Sequence, residues 1–167
     1  MILTKRLEIH PMRAEEWRDL QEIFSDFEDS PQAIYDYPLP TDEKKVREQA
    51  RVWSDSGYFY TVCLQGSTEV IGYLCFCGAE IREMGYSFKK RYQRQGYAFE
   101  AAQAMLEVMR KEFGVTEVRA ELALGNQASL RLIQKLGFSQ VGIRNRLFRK
   151  EREKEERCGI FRKRFMA

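Results

Sequence analysis

The sequence predicts a mixed α/β fold with a central, mostly antiparallel sheet flanked by helices, and three observations predict it. Strand and helix signals alternate along the whole chain, with no internal repeat and no low-complexity linker. Two pairs of strand-like stretches, Tyr58 to Leu64 with Val70 to Cys77 and Val141 to Phe148 with Cys158 to Phe165, are spaced as hairpins. At 167 residues, 44% hydrophobic and 13% aromatic, the chain can bury one sizeable core and does not have a disordered composition.

The elements follow in order. Leu3 to Met12 reads as a strand, and Ala14 to Asp26 as a helix with Trp17, Leu20, Ile23 and Phe24 on one face. Asp29 to Pro40 holds three of the four prolines and must be loop, after which Thr41 to Trp53 resumes helix. The first hairpin turns on Gln65-Gly66-Ser67-Thr68 and leads to a strand around Met84 to Phe88. A long helix runs from Ala98 to Glu112 and stops at Gly114; Glu117 to Leu122 is the next strand. A short amphipathic helix with apolar Leu132, Ile133 and Leu136 ends at Gly137, and the second hairpin closes the chain around a highly charged turn. One domain is expected over residues 1–167.

Composition excludes several classes. No window approaches the apolar run of about 18 residues that a membrane span needs, and the first residues lack the apolar core of a signal peptide. Of the four cysteines, Cys75 and Cys77 sit two apart in a strand and share a face; no second pair gives metal-ligand spacing, so all four are expected to be buried reduced thiols and no metal is expected. A cytoplasmic location follows from these features.

The chemistry starts at Gln93-Arg94-Gln95-Gly96-Tyr97-Ala98, which joins a strand to a helix through a short loop. The first amides of a helix lack intrahelical partners and carry the positive end of its dipole, so such a loop can hold a pyrophosphate. Gly96 and Ala98 keep the backbone open to a close ligand. The nucleotide-triphosphatase loop and the three-glycine dinucleotide fingerprint are both absent. Alone, the pattern fits a plain strand-to-helix turn equally well. Downstream, Asn126 is a favoured N-cap residue and by itself need do nothing more.

Taken together, the two elements resemble the GNAT acetyltransferase superfamily, and within it the ribosomal-protein N-terminal acetyltransferases of the RimJ/RimL type. Thr4-x-Arg6-Leu7 with His10-Pro11-Met12 resembles that group's opening strand, and Val70-Ile71-Gly72-Tyr73 its central hairpin. Glu83-Met84-Gly85-Tyr86 and Tyr92-x-x-x-Gly96-Tyr97-Ala98-x-Glu100-Ala101 match its cofactor region, and Asn126-x-x-Ser129-x-Arg131 through Lys135-Leu136-Gly137-Phe138 its late helix. The resemblance implies a sheet splayed at an acetyl-CoA site. Backbone amides from Gln93 to Ala98 would cradle the pyrophosphate, Tyr86-Ser87-Phe88 would pair with the pantetheine arm as with an added strand, and Asn126 would bond that arm from the other side. Arg94 and Arg131 are partners for the phosphates, if they are not simply surface arginines.

The implied reaction is direct attack of an amine on the thioester, which needs deprotonation of the amine, a donor for the oxyanion and a proton or hydrogen bond for the departing thiolate. An α-amine costs only about 1 kcal/mol to deprotonate at pH 7, whereas a lysine costs roughly 4.6 kcal/mol, so N-terminal acetylation needs only a weak base. Glu83, ten residues before Gln93, is the base by its position in the resemblance; otherwise it is one of 25 acidic residues. Many relatives place a tyrosine four residues before the late glycine, where this chain has Ile133; the RimJ/RimL group instead has a serine matching Ser129, which the resemblance makes the donor of a proton or hydrogen bond to the sulfur, unless it is only a first-turn hydroxyl.

The acceptor is less constrained. Tyr35 and Tyr37 in the loop after the first helix are expected to line the acceptor groove, and Asp26, Glu28, Asp29 and Asp36 there would suit a cationic amine. Arg144 to Arg164 carries ten Lys or Arg against four Glu, which is either a ribosome-facing surface or a solvated turn whose alternating charges pair locally. The expected partner is a protein or peptide N-terminus. The alternatives are a small amine such as a polyamine, aminoglycoside or amino acid, and an acyl-CoA sensor without transfer. Direct nucleic-acid binding is disfavoured because stacking residues near the basic turn are sparse, and dimers are frequent among such enzymes.

Overall fold

The computed structural model describes residues 1–166. Eight strands form one sheet: β1 (Ile2–Leu3), β2 (Leu7–Pro11), β3 (Phe59–Leu64), β4 (Val70–Gly78), β5 (Ile81–Phe88), β6 (Glu117–Ala123), β7 (Ser139–Arg146) and β8 (Glu156–Arg164). Their spatial order is β1-β2-β3-β4-β5-β6-β8-β7. Every neighbouring pair is antiparallel except β5 with β6. Four helices cover the sheet: α1 (Trp17–Glu28), α2 (Glu43–Ser56), α3 (Tyr97–Phe113) and α4 (Gln127–Lys135).

Strand alternation creates two cores. On one face Leu74 and Phe76 of β4, Met84 and Phe88 of β5 and Val118 and Ala120 of β6 meet Ala101, Ala102, Met105 and Met109 of α3. On the other face Tyr73 of β4 and Cys63 of β3 meet Leu20, Ile23 and Phe24 of α1 and Val46 and Ala50 of α2, with the Trp53 and Phe59 rings stacked 4.1 Å apart. The helices are stopped as the glycines require: Gly114 follows α3 at φ +63°, and Gly137 follows α4 at φ +89° with its N–H on the Gln134 carbonyl.

The details differ from sequence expectation at several ends. The opening strand is broken after Leu3 by a turn in which Thr4 N–H bonds the Leu7 carbonyl, so β1 folds back on β2. Residues 14–16 form a tight 3-10 turn before α1, because the Glu16 carboxylate reaches back to the Arg13 N–H at 2.8 Å. The proline-rich loop contains a 3-10 turn over Pro31–Tyr35, with proline at its first position. The α2 helix starts later than expected, at Glu43, because Asp42 caps it through the Lys45 N–H at 3.0 Å. In the closing hairpin β7 lies two residues earlier than expected, β8 starts two residues and ends one residue earlier, and the turn holds a short 3-10 segment, Lys150–Arg152. Among the described residues no helix is long and apolar enough to cross a membrane.

Candidate active site

Strand β5 is paired unequally on its two sides. Toward β4 it is bonded in register from Gly78↔Arg82 to Gly72↔Phe88. Toward β6 the ladder covers only Ile81↔Glu117, Arg82↔Val118 and Glu83↔Arg119. Beyond Glu83 the two strands part, and β6 continues to Ala123 with β8 as its partner. The β6-facing edge of Met84–Phe88 is therefore left open to an extended, amide-bearing ligand, as in strand addition. Of the residues expected to pair with such a ligand, Tyr86 and Phe88 turn their backbone groups to this open edge, with the Phe88 carbonyl already accepting from Gln93, whereas the backbone groups of Ser87 lie in the ladder to β4 that Lys89 N–H continues to the Ile71 carbonyl.

The open edge leads to a loop with unusual backbone. After a 3-10 turn at Lys90–Tyr92, Gln93 is extended, Arg94 adopts φ +61° and Gly96 adopts φ +83°. Two left-handed residues so close together make a tight turn immediately before α3, the kind of backbone setting in which anion-binding concavities occur. Gly96 is the N-cap of α3 and provides no capping side chain, whereas Asp42 caps α2 and Asn126 caps α4. The free amides at the start of α3, including those of Tyr97 and Ala98, are thus uncovered.

Other side chains hold the loop in place. The Gln93 amide donates to the Phe88 carbonyl at 2.8 Å and that of Gln95 to the Arg91 carbonyl at 2.9 Å, so both glutamines are spent on the loop itself. Arg6 of the first turn donates to the Gln95 carbonyl at 2.9 Å, pairs with Glu100 at 3.0 Å and lies over the Tyr97 ring at 4.3 Å. At the end of β5, the buried Lys89 ammonium meets Asp19 at 2.7 Å, Glu22 at 2.6 Å and Glu69 at 3.1 Å. Burial alone would lower this ammonium; the three carboxylates outweigh it and its pKa is raised. Asp19, Glu22 and Glu69 are close enough together to suggest a cation site, and the cations they hold are Lys89 and, on Glu22 and Glu69, Arg91. Neither Arg6 nor Lys89 was expected at the site: Arg6 comes from the far end of the sequence, and a buried lysine has no local sequence mark.

Across the splay, Asn126 caps α4 by accepting from the Ser129 N–H at 3.4 Å through Oδ1, which leaves its amide nitrogen uncommitted to the cap. The Tyr86 hydroxyl donates to Ser129 Oγ at 3.0 Å, bridging the open side of β5 to α4. Burial pushes the Tyr86 phenol up, only partly offset by this bond, so it stays protonated at neutral pH. The sequence reading had given Tyr86 a backbone role alone; its hydroxyl reaches Ser129 only because the strand and helix converge. Ile133 is buried in the core beneath. Arg94 and Arg131 are exposed, and neither forms an ion pair among the described residues.

On the opposite face, Glu83 is exposed at the last rung before the strands part, directly across β4 from Cys77. Cys75 and Cys77 share a face as expected. They are half-buried, however, and only Cys63 and Cys158 are buried, because the α1–α2 layer ends at Tyr73 and leaves the rest of β4 uncovered. The loop after α1 closes this side by docking on the closing hairpin. Tyr37 packs edge-on against Phe148 at 4.9 Å and accepts from Arg146 at 3.1 Å; Tyr35 packs with Ala123, Phe148 and Cys158 and lies against Gly125, where a side chain would clash. Arg149 clamps Glu28 with two bonds of 2.8 Å and the Asp36 carbonyl at 2.9 Å. The two tyrosines therefore build the wall, and Tyr37 keeps 47% of its surface exposed. The basic segment is paired both outward and locally: Arg144 and Arg146 meet Glu121 and Arg164 meets Glu117, while Arg152 meets Glu156 at 3.6 Å within the turn.

An open strand edge running into an uncapped helix, with a carboxylate at the closed end, defines a class of proteins that bind an extended phosphorylated arm. The acetyltransferase (GNAT) domain model matches residues 6–139, and the chain belongs to the GNAT acetyltransferase family. It is 30% identical over 148 residues to an uncharacterized N-acetyltransferase, YnaD, from Bacillus subtilis (strain 168), covering 85% of this chain and 84% of that protein. Among solved structures, a GNAT-family acetyltransferase from Bacillus anthracis superposes with a TM-score of 0.82 at 21% identity, covering 98% of this chain and 97% of that one. RimL, a ribosomal L7/L12 α-N-protein acetyltransferase in complex with coenzyme A, gives 0.76 at 17% identity over 98% and 97%. The fold is the GNAT fold, and the protein is an N-acetyltransferase.

Proposed function

We propose that this enzyme transfers acetyl from acetyl-CoA to the α-amine of a protein or peptide N-terminus, and the observation that carries the proposal is the one-sided pairing of β5. The open edge at Tyr86 and Phe88 pairs with the pantetheine amides, and the backbone N–H groups from Arg94 to Ala98 donate to the pyrophosphate, that of Gln93 being held by the Lys90 carbonyl, with Arg94 and Arg131 free to reach the phosphates. Asn126 bonds the arm from α4. This arrangement brings the thioester to the point where β5 and β6 converge.

There the two faces divide the chemistry. Glu83 faces the acceptor side and takes the amine proton, directly or through a water. The nitrogen forms a bond to the carbonyl carbon and the carbon–sulfur bond breaks. Because Tyr86 donates to Ser129, the Ser129 hydroxyl hydrogen is free to meet the departing thiolate. The pair replaces the helix tyrosine that Ile133 lacks. An α-amine, already close to neutral at pH 7, matches a single exposed carboxylate better than a lysine would. Structural similarity to RimL supports the choice of acceptor. Mass spectrometry of acetyl transfer to a panel of N-terminal peptides, ribosomal proteins, polyamines and aminoglycosides tests it. Acetylated α-amines are the expected product; a small-molecule product alone would reject it.

A further inference from the structure

The family reaction uses no cysteine in the roles assigned above, yet two of the four thiols lie on the acceptor face beside Glu83. Cys75 and Cys77 alternate along β4 to the same side. In register they face Gly85 and Glu83, the two β5 residues that bracket the point where the sheet opens. Gly85 offers no side chain to cover its neighbour: a Cβ built there would stand 3.0 Å from Cys75 Sγ. Both residues are half-buried rather than buried, Cys77 being the less enclosed, while Cys63 packs under α1 and α2 and Cys158 lies in the cluster with Ala123 and Phe148.

The electrostatics separate the four in the same way. Burial pushes Cys63 and Cys158 up to about 11. Its neighbour Cys75 on the same face holds Cys77 down to about 7, against burial and the Glu83 charge, and is itself raised in turn. A thiol that is both accessible and substantially thiolate at neutral pH is the species that reacts with peroxides.

We propose that the Cys75–Cys77 pair is a redox modification site that gates amine access to Glu83, with Cys77 the thiol that hydroperoxides oxidise. The Cys77 thiolate attacks one oxygen of the hydroperoxide, an S–O bond forms as the O–O bond breaks, and the leaving oxygen departs as hydroxide or alkoxide. Sulfur is oxidised and the peroxide reduced. The Cys77 sulfenic acid places an added oxygen across the strand from Glu83, on the path of the acceptor. Cys75 is the positioning residue, acting through the Cys77 sulfur. The effect on rate rests on the function proposed above; the oxidation itself does not.

The test exposes the intact protein to hydrogen peroxide with a 1,3-dione that traps sulfenic acids, and maps the adduct by peptide mass spectrometry. In parallel, acetyl transfer is measured before and after peroxide, and again after dithiothreitol. The dione should label Cys77, and Cys75→Ser should slow that labelling at neutral pH. Transfer should fall by about tenfold or more and recover with the reductant. Cys77→Ser should keep its own untreated rate after peroxide. Labelling confined to Cys63 or Cys158, or equal peroxide sensitivity in Cys77→Ser, would overturn the proposal. The adduct is read without any acceptor, so a wrong acceptor assignment leaves this arm of the test intact.

Discussion

The two flanks of β5 are made from the same eight residues, yet one is sealed and the other is open. Toward β4 the ladder runs to Phe88, with Gly72 directly opposite; a Cβ built on Gly72 would stand 2.3 Å from the Phe88 ring, so the glycine is what lets that ring lie flat on the sheet. Toward β6 the ladder stops at Glu83, and the freed strand ends in the Lys89 ion cluster and the uncapped start of α3. The sealed flank supplies rigidity, and the open flank supplies backbone groups that no neighbouring strand pairs, the Phe88 carbonyl alone being taken by Gln93. A binding edge of this kind survives in a folded protein only because its other edge is fixed.

The sharpest way to break the open flank is at its closed end. Glu83→Gln should lower kcat by about 10²–10⁴-fold while leaving acetyl-CoA affinity unchanged, measured by steady-state kinetics and calorimetric titration. Glu83 is exposed, so folding should not suffer. Next, Lys89→Met removes the buried ammonium that Asp19, Glu22 and Glu69 share and leaves only the exposed Arg91 on Glu22 and Glu69. A loss of roughly 3 kcal/mol in urea unfolding is expected, the lower end for a broken buried pair because the carboxylates are partly exposed. The same variant should raise the acetyl-CoA KM more than it lowers kcat, since the cluster anchors the loop rather than the acceptor side.

Gly72→Ala attacks the sealed flank instead. The Phe88 ring must move, at a cost of about 1–3 kcal/mol by chemical denaturation, and activity per folded molecule should change less than in Lys89→Met. The smallest effect is expected from Tyr86→Phe, which removes the donor to Ser129 without altering the β5 backbone. About 1 kcal/mol, or roughly fivefold in kcat, should be lost with acetyl-CoA binding intact. A larger loss in affinity than in rate would place Tyr86 on the cofactor rather than on the leaving group.

Much of this was legible in the sequence because its signals are local. The alternation of Leu74 and Phe76 with Tyr73, the α3 stripe of Ala101, Met105 and Met109, and the stops at Gly114 and Gly137 all act within a few residues, and each element lies where those signals put it. Ends were less legible where a side chain reaches back on the chain, as Glu16 does before α1 and Asp42 before α2. The loop from Gln93 to Ala98 and the cap at Asn126 could be located from their residue types. Arg6, Lys89 and the Tyr86 hydroxyl could not be, because their partners lie 89, 70 and 43 positions away and nothing in the intervening sequence marks them.

By itself, then, the sequence determined the class of fold, the place of the loop that leads into α3 and the absence of a tyrosine at Ile133, since period, glycine placement and residue identity are properties of short windows. Only the tertiary structure decided that β5 parts from β6 after Glu83, that Tyr86 meets Ser129 across the gap, and that Cys75 and Cys77 remain accessible beside Glu83. Pairing, opening and exposure are relations between segments far apart in the chain, and they are fixed when those segments pack.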